Sequence, residues 1–219
     1  MLVAIIDYGS GNLRSAANAF EHAALATNHR IAVTADPKEL AEASHIVLPG
    51  VGAFADCMRG LENVNGMREA LNEEVLGKQK PFLGICVGMQ MLFDTGHEHG
   101  IHKGLGWIAG EVVNIGTRNE ERDAKVLQLK IPHMGWNELS LKASYHPLLQ
   151  GIKSGDHAYF VHSYHAVCKN AADVLATTDY GAQLTAIVAR GNIMGTQFHP
   201  EKSQETGLRL IENFLKISS

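Results

Sequence analysis

The chain opens on an unbroken apolar run, "LVAIID" (2–7), and the same texture returns at "RIAVTA" (30–35), "HIVLPG" (45–50) and "PFLGIC" (81–86). Short apolar runs without polar alternation predict strands buried on both faces. Between them, apolar residues recur at helical spacing. "NLRSAANAFEHAAL" (12–25) has Asn12 as its N-cap, "DPKELAEA" (36–43) is opened by Asp36 and Pro37, and "NVNGMREALNEEVL" (63–76) follows. A further helical pattern, "VGMQMLF" (87–93), begins directly after the fourth strand. Strands and helices in alternation predict an α/β fold with a parallel sheet covered on both faces.

The second half has a different texture. "GWIAGEVVNIG" (106–116), "AKVLQLKI" (124–131), "AYFVHSYHAV" (158–167), "ADVLATT" (172–178), "LTAIVARG" (184–191) and "NIMGTQFHP" (192–200) predict strands with turn-like breaks, more antiparallel than parallel. "SQETGLRLIENFLKI" (203–217) predicts a closing helix that starts at Ser203. The charged stretch "TRNEERDAK" (117–125) reads as a solvated loop, because a strand pattern resumes at once. No repeat or low-complexity segment divides the chain, so one domain over residues 1–219 is expected.

Composition narrows the class. At 219 residues and 45% hydrophobic, the chain can bury a substantial core. A net charge of −4, with no run of Lys or Arg longer than two, argues against a dedicated nucleic-acid surface. Cys57, Cys86 and Cys168 are too scattered for a disulfide framework and lack metal-ligand spacing, which points to a reducing cytoplasmic setting. The N-terminal run is not that of a signal peptide, and no apolar stretch approaches the roughly 20 residues of a membrane span.

The candidate chemistry centres on Gly84-Ile85-Cys86-Val87-Gly88, a G-x-nucleophile-x-G turn with a strand before it and a helix after it. Such a turn exposes a thiol at a helix N-terminus, where the thiolate is favoured, and aims the Val87 N–H at a developing oxyanion. The same five residues also suit a small core cysteine at a strand end. A base decides between them. In "GTQFHPEKS" (195–203), Pro200 biases His199 toward extended backbone, so His199 and Glu201 fall on one side. Alone, His-Pro-Glu is equally a surface turn. With the elbow it supplies base and orienter for a nucleophile. Two other motifs carry less. "YGSGN" (8–12) lacks both the dinucleotide-binding glycine spacing and a P-loop lysine, so no nucleotide cofactor is expected. The histidines of "HEHGIH" (His97, His99, His102) have no companion cluster, so a polar loop is favoured over a metal site.

The elbow and His-Pro-Glu resemble the class I glutamine amidotransferases. "DYGSGN", "LPGVGAF", "GICVGMQMLF", "HMGWN", "YFVHSY" and "QFHPEKS", taken in order across nearly the whole chain, resemble one branch of that family, the glutaminase subunits of imidazole glycerol phosphate synthase. The resemblance implies a flavodoxin-like, mostly parallel sheet with added antiparallel strands. It implies Cys86 as nucleophile, His199 as base and then acid, and Glu201 as its orienter. Gly50, Val51 and Gly52 would form a switchable strand completing an oxyanion hole with Val87. Gln90, Glu98 and the backbone of Ser163 and Tyr164 would hold L-glutamine, with no cofactor and no metal. Asn12, Trp136, Tyr159 and Lys202 would face a separate (β/α)8-barrel cyclase subunit that consumes the ammonia. The chain departs from the family at "DTGHEHG", where relatives often carry a more acidic run, and at Val87, where leucine is common. Class I glutaminases of other pathways are the near alternative, disfavoured by "YGSGN" and "YFVHSY". A DJ-1-like or peptidase-like cysteine protein of similar sheet is the distant one, and Gln90 with His-Pro-Glu speaks against it. A non-catalytic scaffold is disfavoured by the intact triad positions.

Overall fold

A computed structural model describes residues 1–116, 130–143 and 145–218. Four strands of the first half, β1 (Leu2–Ile6), β2 (Arg30–Thr34), β3 (Ala43–Gly50) and β4 (Phe82–Cys86), are parallel neighbours in the order β2-β1-β3-β4. Every residue of β1 and β4 is buried, as expected for strands without polar alternation. Ile5 and Ile6 are fully buried, each contributing about 1.5–3 kcal/mol of burial free energy.

Three short strands follow, β5 (Phe93–Gly96), β6 (His102–Lys103) and β7 (Ile108–Asn114), then β8 (His133–Glu138) and β9 (Ser140–Leu141). The chain ends through β10 (His157–His162), β11 (Tyr164–Cys168), β12 (Val174–Asp179), β13 (Gln183–Arg190) and β14 (Ile193–Thr196). The main sheet runs β2-β1-β3-β4-β14-β13-β12-β9. Its fifth strand, β14, is parallel to β4, and the last three are antiparallel additions. The second half is therefore not uniformly antiparallel. β14 completes the parallel core and delivers the segment carrying His199 to the end of β4 that carries Cys86.

The helices are α1 (Leu13–Ala23), α2 (Glu39–Glu42), α3 (Phe54–Asn63), α4 (Met67–Leu71), α5 (Val87–Gln90) and α6 (Gln204–Leu215). Phe20 of α1 and Phe214 of α6 meet edge to face at 6.2 Å, joining the first helix to the last. None of the helices among the described residues is long and apolar enough to cross a membrane.

Several expectations change in detail. Asn12 does occupy the N-cap of α1, but its side chain makes no capping bond. The pattern at 87–93 gives only the four-residue α5, after which the carbonyls of Met91, Leu92 and Phe93 accept from the backbone of residues 105–108. Tertiary pairing overrides the local helical spacing there. "AYFVHSYHAV" is two strands, not one. It breaks at Ser163, where β10, paired with β8, gives way to β11, paired with β7 in the sheet β11-β7-β5-β6. The loop expected at 117–125 and most of the strand expected at 124–131 lie outside the described residues.

Candidate active site

Cys86 ends β4 and opens α5 with φ 56° and ψ −113°, so the strain of the turn is carried by the cysteine itself. Neither flanking glycine has a positive φ; both are there for space. A Cβ on Gly84 would lie 2.6 Å from the Gly88 carbonyl oxygen, and one on Gly88 would strike the Leu48 carbonyl oxygen. Gly50 serves the same end, since a Cβ there would sit 2.5 Å from the Gly88 nitrogen. Its role is close packing against the elbow rather than backbone freedom, which falls to Gly52 at φ 97°.

His199 reaches Cys86 from the end of β14. Its Nδ1 lies 2.7 Å from Glu201 Oε1, and both side chains are almost fully buried. The pair does not come from two extended residues. His199 is extended, but Pro200–Lys202 form a 3₁₀ turn that folds the carboxylate back against the ring. The turn is pinned from β10: Tyr159 O accepts from the His199 amide at 3.1 Å, and the Tyr159 amide donates to Ser203 Oγ at 2.9 Å. Burial pulls the His199 pKa down, but hydrogen bonds to Cys86 and Glu201, reinforced by their charges, raise it to about 10. The ring is an imidazolium at neutral pH, set between two acceptors.

A cavity of about 290 Å³ lies over this group, lined by Val51, Gly52, Cys86, Val87, Gln90, Glu98, Pro132, Val161, His162, Ser163, Tyr164 and His199. The residues expected to bind substrate therefore converge on one space. Gln90 Nε2 donates to Tyr164 O at 2.9 Å and to Gln197 Oε1 at 3.0 Å, so its amino group braces the protein and its carbonyl oxygen is left for a ligand. Glu98 Oε2 accepts from the Phe54 amide at 2.7 Å, at the N-terminus of α3, where a carboxylate is favoured.

The segment before α3 is held firmly. Tyr8 Oη donates to Pro49 O at 2.8 Å. Ser10 Oγ donates to Val51 O at 2.6 Å, and the Val51 amide donates back to it at 3.4 Å. Burial keeps the Cys57 thiol protonated, and it donates to Val51 O at 3.3 Å. The Val51 N–H thus points at Ser10, away from an oxyanion over Cys86. Val87 is the first residue of α5, so its N–H has no acceptor within the helix.

Of the expected partner-facing residues, three cluster. Trp136, 45% exposed, meets Tyr159 edge to face at 5.8 Å, and the Lys202 ammonium lies 5.9 Å from the Tyr159 ring centroid. Asn12 stands apart from these contacts, at the head of α1. His97 Nε2 lies 3.0 Å from Glu111 Oε2. Sequence reasoning missed Gln197, which is fully buried, braces Gln90 and approaches Cys86 Sγ at 3.9 Å. Its place two residues before His199 was the available signal. It also missed His133 and His162, described below.

The family model for Glutamine amidotransferase class-I matches residues 4–217. The imidazole glycerol phosphate synthase subunit HisH of Brucella suis is 58% identical over 221 residues, 99% of each chain. HisH of Rhodospirillum rubrum is 56% identical over 218 residues, again 99% of each. Among solved structures, Thermotoga maritima PurLQS superposes with a TM-score of 0.70 at 18% identity, covering 98% of this chain and 97% of that one. The glutaminase domain of Trypanosoma brucei CTPS gives 0.65 at 15% identity, covering 100% and 95%. A family match over almost every residue, joined to full-length relatives above half identity, makes this chain a member of the class I glutamine amidotransferases.

Proposed function

We propose that this chain is the glutaminase subunit of an imidazole glycerol phosphate synthase. It hydrolyses L-glutamine to glutamate and ammonia for histidine biosynthesis. The observation that carries the chemistry is the line Cys86–His199–Glu201 facing a cavity walled by Gln90 and Glu98. The full-length HisH relatives carry the pathway.

The Cys86 thiolate attacks the side-chain amide carbon of glutamine, and the oxyanion meets the Val87 N–H. Because His199 is already charged, its first act is to donate a proton to the departing ammonia. The γ-glutamyl thioester remains. The now neutral ring takes a proton from water, which attacks the thioester and releases glutamate and the thiolate. Glu201 fixes the ring and stabilises its charged form. Glu98 supplies negative charge for the substrate's α-ammonium, and the Ser163–Tyr164 backbone faces its carboxylate. Ammonia released into bulk water at neutral pH would become ammonium and lose its lone pair. It passes instead to a separate (β/α)8-barrel cyclase subunit, docked on the face that carries Trp136, Tyr159, Lys202 and Asn12.

Cys86→Ala tests the assignment. With the cyclase subunit present, glutamine-dependent synthesis disappears while ammonia-dependent synthesis continues; surviving glutamine use refutes the nucleophile. With Val51 clamped by Ser10, the isolated chain turns over glutamine slowly, and the cyclase subunit with its nucleotide substrate accelerates it. Robust glutamate release by the isolated chain contradicts that reading.

A further inference from the structure

Beside the cavity lies a row of hydrogen bonds whose direction is fixed at both ends. At the outer end, Asn137 Nδ2 donates to the Asp179 carbonyl at 2.9 Å, and its other proton faces His133 Nε2 at 3.2 Å. His133 Nε2 is therefore an acceptor and the proton sits on Nδ1. His133 Nδ1 lies 3.0 Å from His162 Nε2, so His162 accepts there and carries its own proton on Nδ1. At the inner end, His162 Nδ1 is 2.8 Å from the Tyr164 carbonyl, which can only accept. Starting from Tyr164 and reasoning outward gives the same tautomers.

The row is built into the fold. His133 on β8 and His162 on β10 are cross-strand partners, and both are buried. The His133 ring is stacked between Phe160 at 4.9 Å and Tyr180 at 4.0 Å. His162 lines the cavity with Ser163 and Tyr164. Ser163 is the residue at which the chain leaves one sheet for another, so no continuous ladder holds it. Its carbonyl accepts from Ile115 N at 2.9 Å, and the Tyr164 carbonyl takes both His162 Nδ1 and Gln90 Nε2.

We infer that His133 and His162 are positioning residues for glutamine. As a neutral, single-tautomer relay they lock the Tyr164 carbonyl, and with it the backbone on either side of Tyr164 that walls the cavity, in the orientation that binds substrate. A proton added to either ring would set two donors against each other. Burial lowers both rings, His133 to about 4 and His162 to about 3, and the nearby charge of His199 acts on His162 in the same direction. From about pH 4 up to about pH 10 the relay is thus neutral while His199 is charged. The inference rests on the glutaminase reading above.

His133→Leu removes the middle donor, and His133→Asn restores it, because an Asn Nδ2 takes the place of the His Nδ1. Each is assembled with the cyclase subunit and assayed with L-glutamine, with melting temperature recorded. The expected result is a KM for glutamine raised about tenfold in the Leu variant, with kcat within about twofold, as for an interaction used equally in ground and transition states. The Asn variant recovers most of it, and the rate of Cys86 alkylation by iodoacetamide is unchanged in both. An unchanged KM in the Leu variant, a joint fall of kcat and alkylation rate, or no recovery with Asn overturns the proposal. Independently of any variant's folding, the histidine ¹⁵N spectrum of the native chain must show both rings neutral and protonated at Nδ1; either ring charged or protonated at Nε2 overturns it. Failure of the glutaminase reading is seen separately, as glutamine turnover that survives Cys86→Ala.

Discussion

His199 and His162 border the same cavity and are buried to nearly the same degree, 3% and 6% exposed, yet their charge states are opposite. His199 faces a carboxylate and a cysteine sulfur, both acceptors, and holds two protons up to about pH 10. His162 faces a carbonyl on one side and a ring N–H on the other, and there is nowhere for a second proton to go. Burial alone does not set a histidine's charge. What decides it is whether each ring nitrogen meets an acceptor or a donor. One active site thus contains an imidazole made to exchange protons and another made to keep its own.

The contrast breaks most severely at His199. His199→Gln removes the proton donor and base together, and glutamine-dependent turnover falls by at least about 10³-fold while ammonia-dependent synthesis by the complex is retained. Glu201→Gln keeps a hydrogen-bond partner but deletes the charge that favours imidazolium. Turnover falls about a hundredfold or more, and the alkaline limb of the kcat/KM profile moves from near pH 10 toward the ordinary histidine value of 6.5.

Stability should divide the two regions by pH. His133 and His162 bind protons less readily folded than unfolded, so their contribution is whole above about pH 6.5 and lost as pH falls toward 4. His199 has the opposite sign: its contribution is whole below 6.5 and is lost as pH rises toward 10. Urea denaturation across pH should lose on the order of 2 kcal/mol on each side, with the acid limb flattened in His133→Leu and the alkaline limb in Glu201→Gln. The smallest expected effect is at the outer end of the relay. Asn137→Ala leaves the two-histidine contact in place and raises the glutamine KM about two- to threefold, read from initial rates of glutamate release by the complex.

Much of this was legible in the chain. "LVAII", "FLGIC" and the two glycines around Cys86 report strands buried on both sides and a tight junction, because those demands act on neighbouring residues. The proposed triad was legible for the same reason: His199 and Glu201 are two residues apart, and only their approach to Cys86 had to be supplied by folding. α3 was not foreseen in the pattern around Gly60. That glycine is needed because a Cβ there would lie 2.8 Å from the Tyr8 carbonyl oxygen, a contact 52 positions away in sequence. The break at Ser163 was invisible because both halves of "AYFVHSYHAV" are good strands; what divides them is the choice of partner, β8 or β7. The histidine relay escaped notice because its members come from four separate strands, β8, β10, β11 and β12. Each of them alone reads as an ordinary core or surface residue.

The clamps around Val51 also limit how that segment can move. Pro49 is tied to Tyr8 through its carbonyl, and Phe54 is tied to Glu98 through its amide, so residues 50–53 form a span fixed at both piers. Such a span turns like a crank: its peptide planes can rotate about the line between the piers while the sheet and α3 stay where they are. Bringing the Val51 N–H round to an oxyanion then requires only that it release Ser10 Oγ, while the Val51 carbonyl in the next peptide is held by Ser10 and Cys57, with no travel of the sheet or of α3. Glu98 is both the outer pier and the carboxylate that the proposed function sets against the substrate's ammonium, and on that reading substrate arrival is felt directly at one end of the crank.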